Sequence, residues 1–364
     1  MTDSFEQEWA ELIAAAQEEG EIAFVGGPTG ASDDGAFYDY FGEVFGLDVT
    51  LLAGPTEDVT ARIFAERDQG LFDYDIASLG NSGSTNMLDA EAFQPLEHFL
   101  FHPEATDRST GWRLDRIPWA DEGNQFCTYW GVRAIPNFQW LFYNSDNVTD
   151  EELASLESWH DLLDPRWKGR IGIGAINEGE QSNMRTQAWL ILGQEWFETM
   201  FREQDPQIAL YGAGREQADG LARGDYDVVL FPSGGDAGMN EAIDAGLPVA
   251  EFDRTLAEGP GKEPIQRLCM FDEPANPNAA TLFANWVLTR EGQEAYNLYT
   301  GRDDRASLRD DVPQGDVVDD LWNLAADDRT PVYDTNTEEH RAAEVESLAY
   351  LQAVFAELGL VPGG

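Results

Sequence analysis

Basic residues are scarce in this chain. Over 364 residues, 22 Lys and Arg stand against 69 Asp and Glu, and Lys168 and Lys262 are the only lysines. The formal net charge is −47. Contacts to nucleic-acid phosphates require Lys and Arg surfaces, so nucleic acid is excluded as a partner. The acid is spread along the chain and not blocked into one tail, which argues against an acidic mimic of nucleic acid. Cysteine is nearly missing as well: Cys127 and Cys269 are too few for a disulfide scaffold, and their spacing fits no zinc pattern. With four histidines and no His-Glu-x-x-His, Gly-x-Ser-x-Gly elbow or P-loop, the common hydrolase and nucleotide-binding signatures are missing. His98 and His102 are four apart, but Pro103 follows directly and no acidic-plus-His motif frames them. They read as surface or packing residues. No apolar run reaches the roughly 18 residues of a membrane span, and no charged segment followed by an apolar one opens the chain.

What remains is rich in aromatics. A hydrophobic fraction of 42%, with 11 Trp and 20 Phe, is too apolar for a disordered acidic polymer, and the length suffices for two cores. Dispersed acid with almost no lysine fits a protein kept soluble in concentrated salt, where screening relieves self-repulsion. A halophilic source is the expectation.

The pattern along the chain is alternating α/β. Residues 5–19 predict an amphipathic helix with Trp9, Leu12, Ile13 and Ala16 on one face, stopped by Gly20. Strands follow at Ile22–Val25, Val49–Leu52 and Tyr74–Ser78, with a helix over Val59–Glu66. That alternation implies a parallel sheet. Gln139–Tyr143 reads as a buried strand. Thr149 with Glu152 spells a capping box, Ser158–Leu163 a second short helix stopped by Pro165, and Arg170–Gly174 a returning strand. Further on come helices at Asn183–Leu192 and Gln217–Arg223, strands at Asp227–Phe231 and Leu268–Phe271, and a helical tail from about Val317. Asn147-Val148-Thr149 is a glycosylation sequon, which suggests surface exposure.

Four loops rich in Gly, Ser, Thr and Asn follow predicted strands: 26–32, 80–86, 174–182 and 231–238. Open α/β sheets bind ligands at the carboxyl ends of their strands. The candidate ligand-binding residues are therefore Gly27, Thr29, Gly30, Ser32, Asn81, Ser82, Ser84, Glu178, Ser182, Ser233, Gly234 and Asp236. Trp130 could stack on a ligand, or equally fill the core; Arg133 and Arg185 are available counter-charges.

The string Tyr143-Asn144-x-Asp146 followed by Ser158-Trp159-x-Asp161-Leu162-Leu163-Asp164-Pro165-x-Trp167-Lys168-Gly169-x-Ile171 resembles the start of the second domain in ferric-iron-type extracellular solute-binding proteins, the ligand-capturing components of ATP-driven importers. Asn276–Gln293 resembles a helix that the same family carries late in its chain. With the opening helix, the resemblance spans residues 9–313. It implies two Rossmann-like α/β lobes joined by two hinge strands, the type II periplasmic binding protein fold. The first lobe would comprise 1–138 with 266–314, the second 139–265 with 315–364. The resemblance further implies a single-copy extracytoplasmic protein at the cell surface, lipid-anchored through a signal outside this chain, serving a membrane permease and its ATPase. No cofactor and no catalysis are implied. The family places the hinge segments near Cys127 and Cys269 side by side; a bridge is feasible there, but two free buried thiols are the expectation.

Iron sites in this family carry a tandem tyrosine pair at the end of the strand matching Asp227–Phe231. Here Ser233-Gly234 stands there, Gly80 falls near the expected acidic ligand, and the first loop has no His. Hard Fe(III) requires phenolate or carboxylate oxygens. The expected ligand is thus a small phosphorylated or carboxylated metabolite. A cation such as thiamine, a polyamine or ferric iron is the alternative, and a carboxylate-dependent glycosidase is the reading outside this class.

Composition alone predicts that melting temperature rises substantially between low and molar potassium chloride, because the Debye length falls from about 30 Å at 0.01 M to about 3 Å at 1 M. A flat response in a salt series would remove the halophilic reading.

Overall fold

A computed structural model describes residues 2–26, 31–54, 56–109, 111–112, 116–121, 123–135, 137, 140–174, 182–208, 214–232, 237–259, 261–300, 305–313 and 338–358. The chain divides into two compact units, Met1–Arg133 with Glu263–Asp319, and Ala134–Lys262 with Asp320–Gly364.

The first unit opens with α1 (Thr2–Glu19), β1 (Glu21–Gly26), α2 (Ala31–Phe45), β2 (Asp48–Ala53), α3 (Thr56–Arg67), β3 (Ile76–Leu79) and α4 (Asn81–Asp89). Short β4 (Phe93–Gln94) and α5 (Pro103–Thr106) precede β5 (Cys127–Ile135), which carries the chain out of the unit. The second unit holds β6 (Leu141–Asn144), α6 (Asp150–Ala154), β7 (Ile171–Ile173), α7 (Ser182–Glu203), β8 (Gln207–Ile208), α8 (Gly214–Arg223), β9 (Val228–Leu230), α9 (Ala237–Asp244) and β10 (Val249–Glu251). Then β11 (Gly261–Phe271) returns the chain, α10 (Pro277–Trp286), α11 (Arg290–Thr300) and β12 (Arg305–Ser307) complete the first unit, and α12 (Glu338–Glu357) belongs to the second.

In the first unit, the sheet runs β12-β5-β11-β3-β1-β2, with β4 also on β11. β1 is parallel to β2 and β3, so the loops after β1 and β3 leave the same edge. β11 joins antiparallel, with Arg267 opposite Leu79 and Met270 opposite Ile76. Asp75 locks this arrangement. Its buried carboxylate accepts from the N–H of Ala23 (2.8 Å) and of Asn276 (2.6 Å), tying β1 and the start of α10 to β3. Burial pushes the Asp75 carboxyl up, and these N–H donors partly offset it. Glu19, at the end of α1, caps α10 from outside by accepting from the N–H groups of Asn278 and Ala279 (3.0 and 2.8 Å). The expected helix over Asn276–Gln293 is two helices. The Thr289 hydroxyl accepts from Gly292 N–H (3.1 Å) and starts α11, and a Cβ at Gly292 would meet Trp286 O at 2.2 Å.

The second unit's sheet is β10-β6-β9-β7-β8, with β7 parallel to both β8 and β9. Both predicted capping boxes form: Glu152 N–H donates to Thr149 Oγ1 and Thr149 N–H to Glu152 Oε2, and Ser158 and Asp161 repeat the exchange before the 3-10 turn Trp159–Leu163. Arg170 bridges Glu152 (2.6 Å) and Asp227 (2.5 Å), and its hydrogen bond holds the Glu152 carboxyl down at about 2. Gly193, at φ 78°, breaks α7 into two segments, a conformation open to glycine at little cost. The second segment packs under α12 through Phe201 and Phe355 (centroids 5.6 Å apart). The tail expected to start near Val317 lies outside the described residues up to 337; from Glu338 it is the helix that packs on the second unit.

His102 N-caps α5, its Nδ1 accepting from Glu104 N–H at 3.2 Å, and packs edge-on against Phe5 and Trp9. His98 is exposed. Among the described residues, no group of three or more His, Cys, Asp or Glu is placed to hold a metal ion, and no helix is long and apolar enough to cross a membrane.

The cysteine expectation is corrected. Cys127 on β5 and Cys269 on β11 form a disulfide, with Cα atoms 4.5 Å apart. The two strands are neighbours in the sheet, so side chains 142 residues apart in sequence meet within bonding distance, and both are fully buried. Closing so long a loop constrains the unfolded chain and is worth roughly 2–4 kcal/mol. Denatured, unreduced protein therefore titrates no thiols and reduced protein two, with a lower melting temperature after reduction. Two thiols before reduction would rule the bridge out.

Candidate ligand-binding site

Four parallel strands set the edges that matter: β1 and β3 in the first unit, β7 and β9 in the second. Glycine and small polar residues come after each. Gly27, Thr29 and Gly30, after β1, lie outside the described residues; Ser32 falls in the first turn of α2, its side chain outside them.

After β3 the structure differs from the expected loop. Residues 81–89 form α4, entered through Gly80 in an extended conformation (φ −65°, ψ 175°) with no side chain capping it. Asn81 and Ser82 take its first turn, their side chains outside the described residues. Ser84 is fully buried, and its hydroxyl points back at the carbonyls of Leu79 and Gly80 (3.2 and 3.0 Å). Its expected place among the ligand's donors is thereby corrected: that hydroxyl closes the strand-to-helix turn. Thr85, one residue on, accepts from Arg267 Nη1 at 3.1 Å.

Arg267 is a buried charge beside this turn that the sequence reading did not single out. It stands on β11 opposite the last residue of β3 and is 7% exposed. Its Nε donates to the hydroxyl of Tyr129 on β5 (3.3 Å). The available signal was a lone arginine at the head of an otherwise apolar strand, Leu268–Phe271.

Trp130 goes to the core. It is 1% exposed, stacked on Phe37 (5.5 Å) and packed against Tyr296 (4.6 Å). This corrects the stacking role: of the two readings open in the sequence, packing wins because aromatic side chains of α2 and α11 press on the ring. Arg133 pairs with Arg305 of β12 along the backbone, and its side chain lies outside the described residues.

In the second unit, Gly174 N–H donates to Leu230 O (3.0 Å) at the end of β7. Glu178 lies outside the described residues, and Ser182 is the first residue of α7, its side chain also outside. Arg185 is 1% exposed, and its Nε donates to Ser347 Oγ of α12 at 2.9 Å. That hydrogen bond fastens α12 to the first turns of α7.

β9 ends in backbone strain. Phe231 adopts φ 51° immediately before Pro232. A bulky residue in the left-handed region costs on the order of 1–3 kcal/mol and persists only where its surroundings hold it. Trp159 stacks on the Phe231 ring at 5.4 Å, and Trp196 meets it edge-on at 6.4 Å. Those contacts set the direction in which the chain leaves β9. Ser233, Gly234 and Asp236 come next, outside the described residues. α9 then starts with Gly238 pressed on α8, where a Cβ would meet Gly214 C at 2.3 Å.

No protein-family model matches the sequence, and no curated protein does. Solved structures match over nearly the whole chain. FutA of Trichodesmium, in complex with iron and citrate, aligns at 16% identity and TM-score 0.61, over 92% of this chain and 99% of its own. The periplasmic binding protein AfuA of Actinobacillus pleuropneumoniae, with fructose-6-phosphate bound, aligns at 15% identity and TM-score 0.60, covering 93% and 99%. An ABC transporter protein from Clostridium perfringens aligns at 14% identity and TM-score 0.64, covering 92% and 99%. Identity at that level shows fold, and the fold is that of the type II periplasmic binding proteins.

Proposed function

We propose that this chain is the substrate-binding component of an ATP-driven importer and captures a small anionic metabolite, phosphorylated or carboxylated. It acts outside the cytoplasm as a single copy, lipid-anchored, and delivers its ligand to a membrane permease with an ATPase. Binding, without turnover, is its work.

The observation that carries this reading is the composition of the chain just beyond the four parallel strands. Glycine, serine, threonine and asparagine stand there, with Ser233-Gly234 after β9 in place of a tyrosine pair. Such residues let backbone N–H groups approach a ligand closely, and N–H groups at strand ends and helix starts favour an anion. One structural neighbour was solved with fructose-6-phosphate, an anion of this class, and another with iron and citrate, which suits the ferric-iron alternative as well. A thiamine or polyamine ligand would be favoured by Trp130, Tyr129 and the acidic surroundings. Trp130 is in the core, and the Tyr129 hydroxyl accepts from a guanidinium, which repels a cation.

In molar potassium chloride, fructose 6-phosphate or citrate raises the melting temperature and fructose does not. Stabilisation of about 2.7 kcal/mol is expected at a hundred times Kd. Ser233→Trp abolishes that shift without changing the melting of the unliganded protein, because the bulky ring blocks close backbone approach. Ferric citrate gives no visible tyrosinate-to-iron absorption band. Such a band, or iron retained through purification, would overturn the assignment.

A further inference from the structure

We infer that Arg108 holds a small monovalent inorganic anion, such as chloride, at the edge of its guanidinium beside Trp112, as a structural site of the first unit. Arginine is seldom buried without a partner for its charge. Arg108 follows α5 and is 6% exposed. Its Nε donates to the carbonyl of Ala105 at 3.0 Å. Nη1 and Nη2 are cut off from solvent, and among the described residues nothing accepts a hydrogen bond from either.

Trp112 engages only the face of the group. The guanidinium carbon of Arg108 lies 3.4 Å from the ring centroid. The indole is itself fixed: its Nε1 donates to Glu104 O at 2.8 Å, and its backbone bridges to Arg309. Stacking uses the flat side of a guanidinium and leaves the N–H groups in its plane directed outward. Those in-plane donors are the ones that stand without an acceptor here. A buried donor in that state keeps its full desolvation cost, and a bound ion removes it.

Charge points the same way. Arg309 also lies over the Trp112 ring, at 4.9 Å. It is answered by Asp311, through Nε and Nη2 at 2.8 Å each, and more loosely by Glu104 at 3.6 Å. Arg108 makes no ion pair among the described residues. Burial and the like charge of Arg309 lower its pKa to about 9, which leaves it a cation at neutral pH.

Such an arginine stands out in a chain with 69 acidic residues against 22 basic ones. Arg67, Arg170, Arg202 and Arg290 each hold a carboxylate within 2.8 Å. Where acid is that abundant, donors that meet no carboxylate are matched by an anion drawn from solution. Enclosure restricts it to an ion of atomic size, because a metabolite has no way in. An ion that binds the folded chain and not the unfolded one raises the melting temperature by mass action.

The test compares the wild type with Arg108→Met, each melted in molar potassium chloride and in molar potassium gluconate. Gluconate matches the ionic strength with an anion too large to enter, so the general gain from screening is common to both salts. The wild type melts a few degrees higher in chloride. Arg108→Met loses that difference, since methionine packs on Trp112 without a charge. An equal difference in both proteins overturns the site. The second arm is a crystal grown in molar potassium bromide, with data collected at the bromine absorption edge. An anomalous peak within hydrogen-bonding reach of Arg108 Nη1 and Nη2 is the expected result. Its absence overturns the proposal, and decides the matter should Arg108→Met not fold. A peak accompanied by an unchanged chloride–gluconate difference in Arg108→Met means an adventitious ion only, and the structural role falls.

Discussion

The pairing of β11 with β3 is the contact on which the first unit depends. β3 ends at Leu79 and its partner at Arg267 arrives only after β6 to β10 of the second unit. Until then the sheet lacks the strand that stands between β5 and β3. Loop closure over so many residues grows only slowly with length in entropy, but it slows folding because the contact is so far from local. Two devices secure the pairing once made. Asp75 holds β1, β3 and the start of α10 through buried hydrogen bonds, and the Cys127–Cys269 bridge joins β11 to β5.

The same pairing decides where a buried charge sits. Arg267 reaches the end of β3 only because register puts it there, and Tyr129 meets it only because β5 lies on the other side of β11. In the second unit the corresponding constraint is packing. Trp159 and Trp196 hold Phe231 in a left-handed conformation, and that conformation aims the chain as it leaves β9. One edge is thus organised by hydrogen bonding and charge, the other by aromatic packing against strain.

Local signals were legible in the sequence. Thr149 with Glu152, and Ser158 with Asp161, specify their caps within four residues, and both form. Strands such as Ile22–Val25 announced themselves by apolar runs bounded by glycine. What stayed hidden was whatever distant residues decide. Asn-Ser-Gly-Ser-Thr-Asn at 81–86 has poor helix propensity, yet it forms α4 because Met87 is fully buried and Ser84 bonds back to the preceding turn. Trp130 needed Phe37 and Tyr296 to become a core residue, and Arg185 needed Ser347 to become a tether. The disulfide needed strand order, which two cysteines alone do not encode.

The central claim is that the strand-end segments themselves hold an anionic metabolite. Peptide-resolved hydrogen–deuterium exchange in molar potassium chloride, with and without saturating fructose 6-phosphate, tests it most directly. The account predicts slowed exchange in peptides covering 26–32, 80–86, 174–182 and 231–238. Unchanged exchange in all four, at a concentration that still raises the melting temperature, would contradict it and place the ligand elsewhere on the molecule.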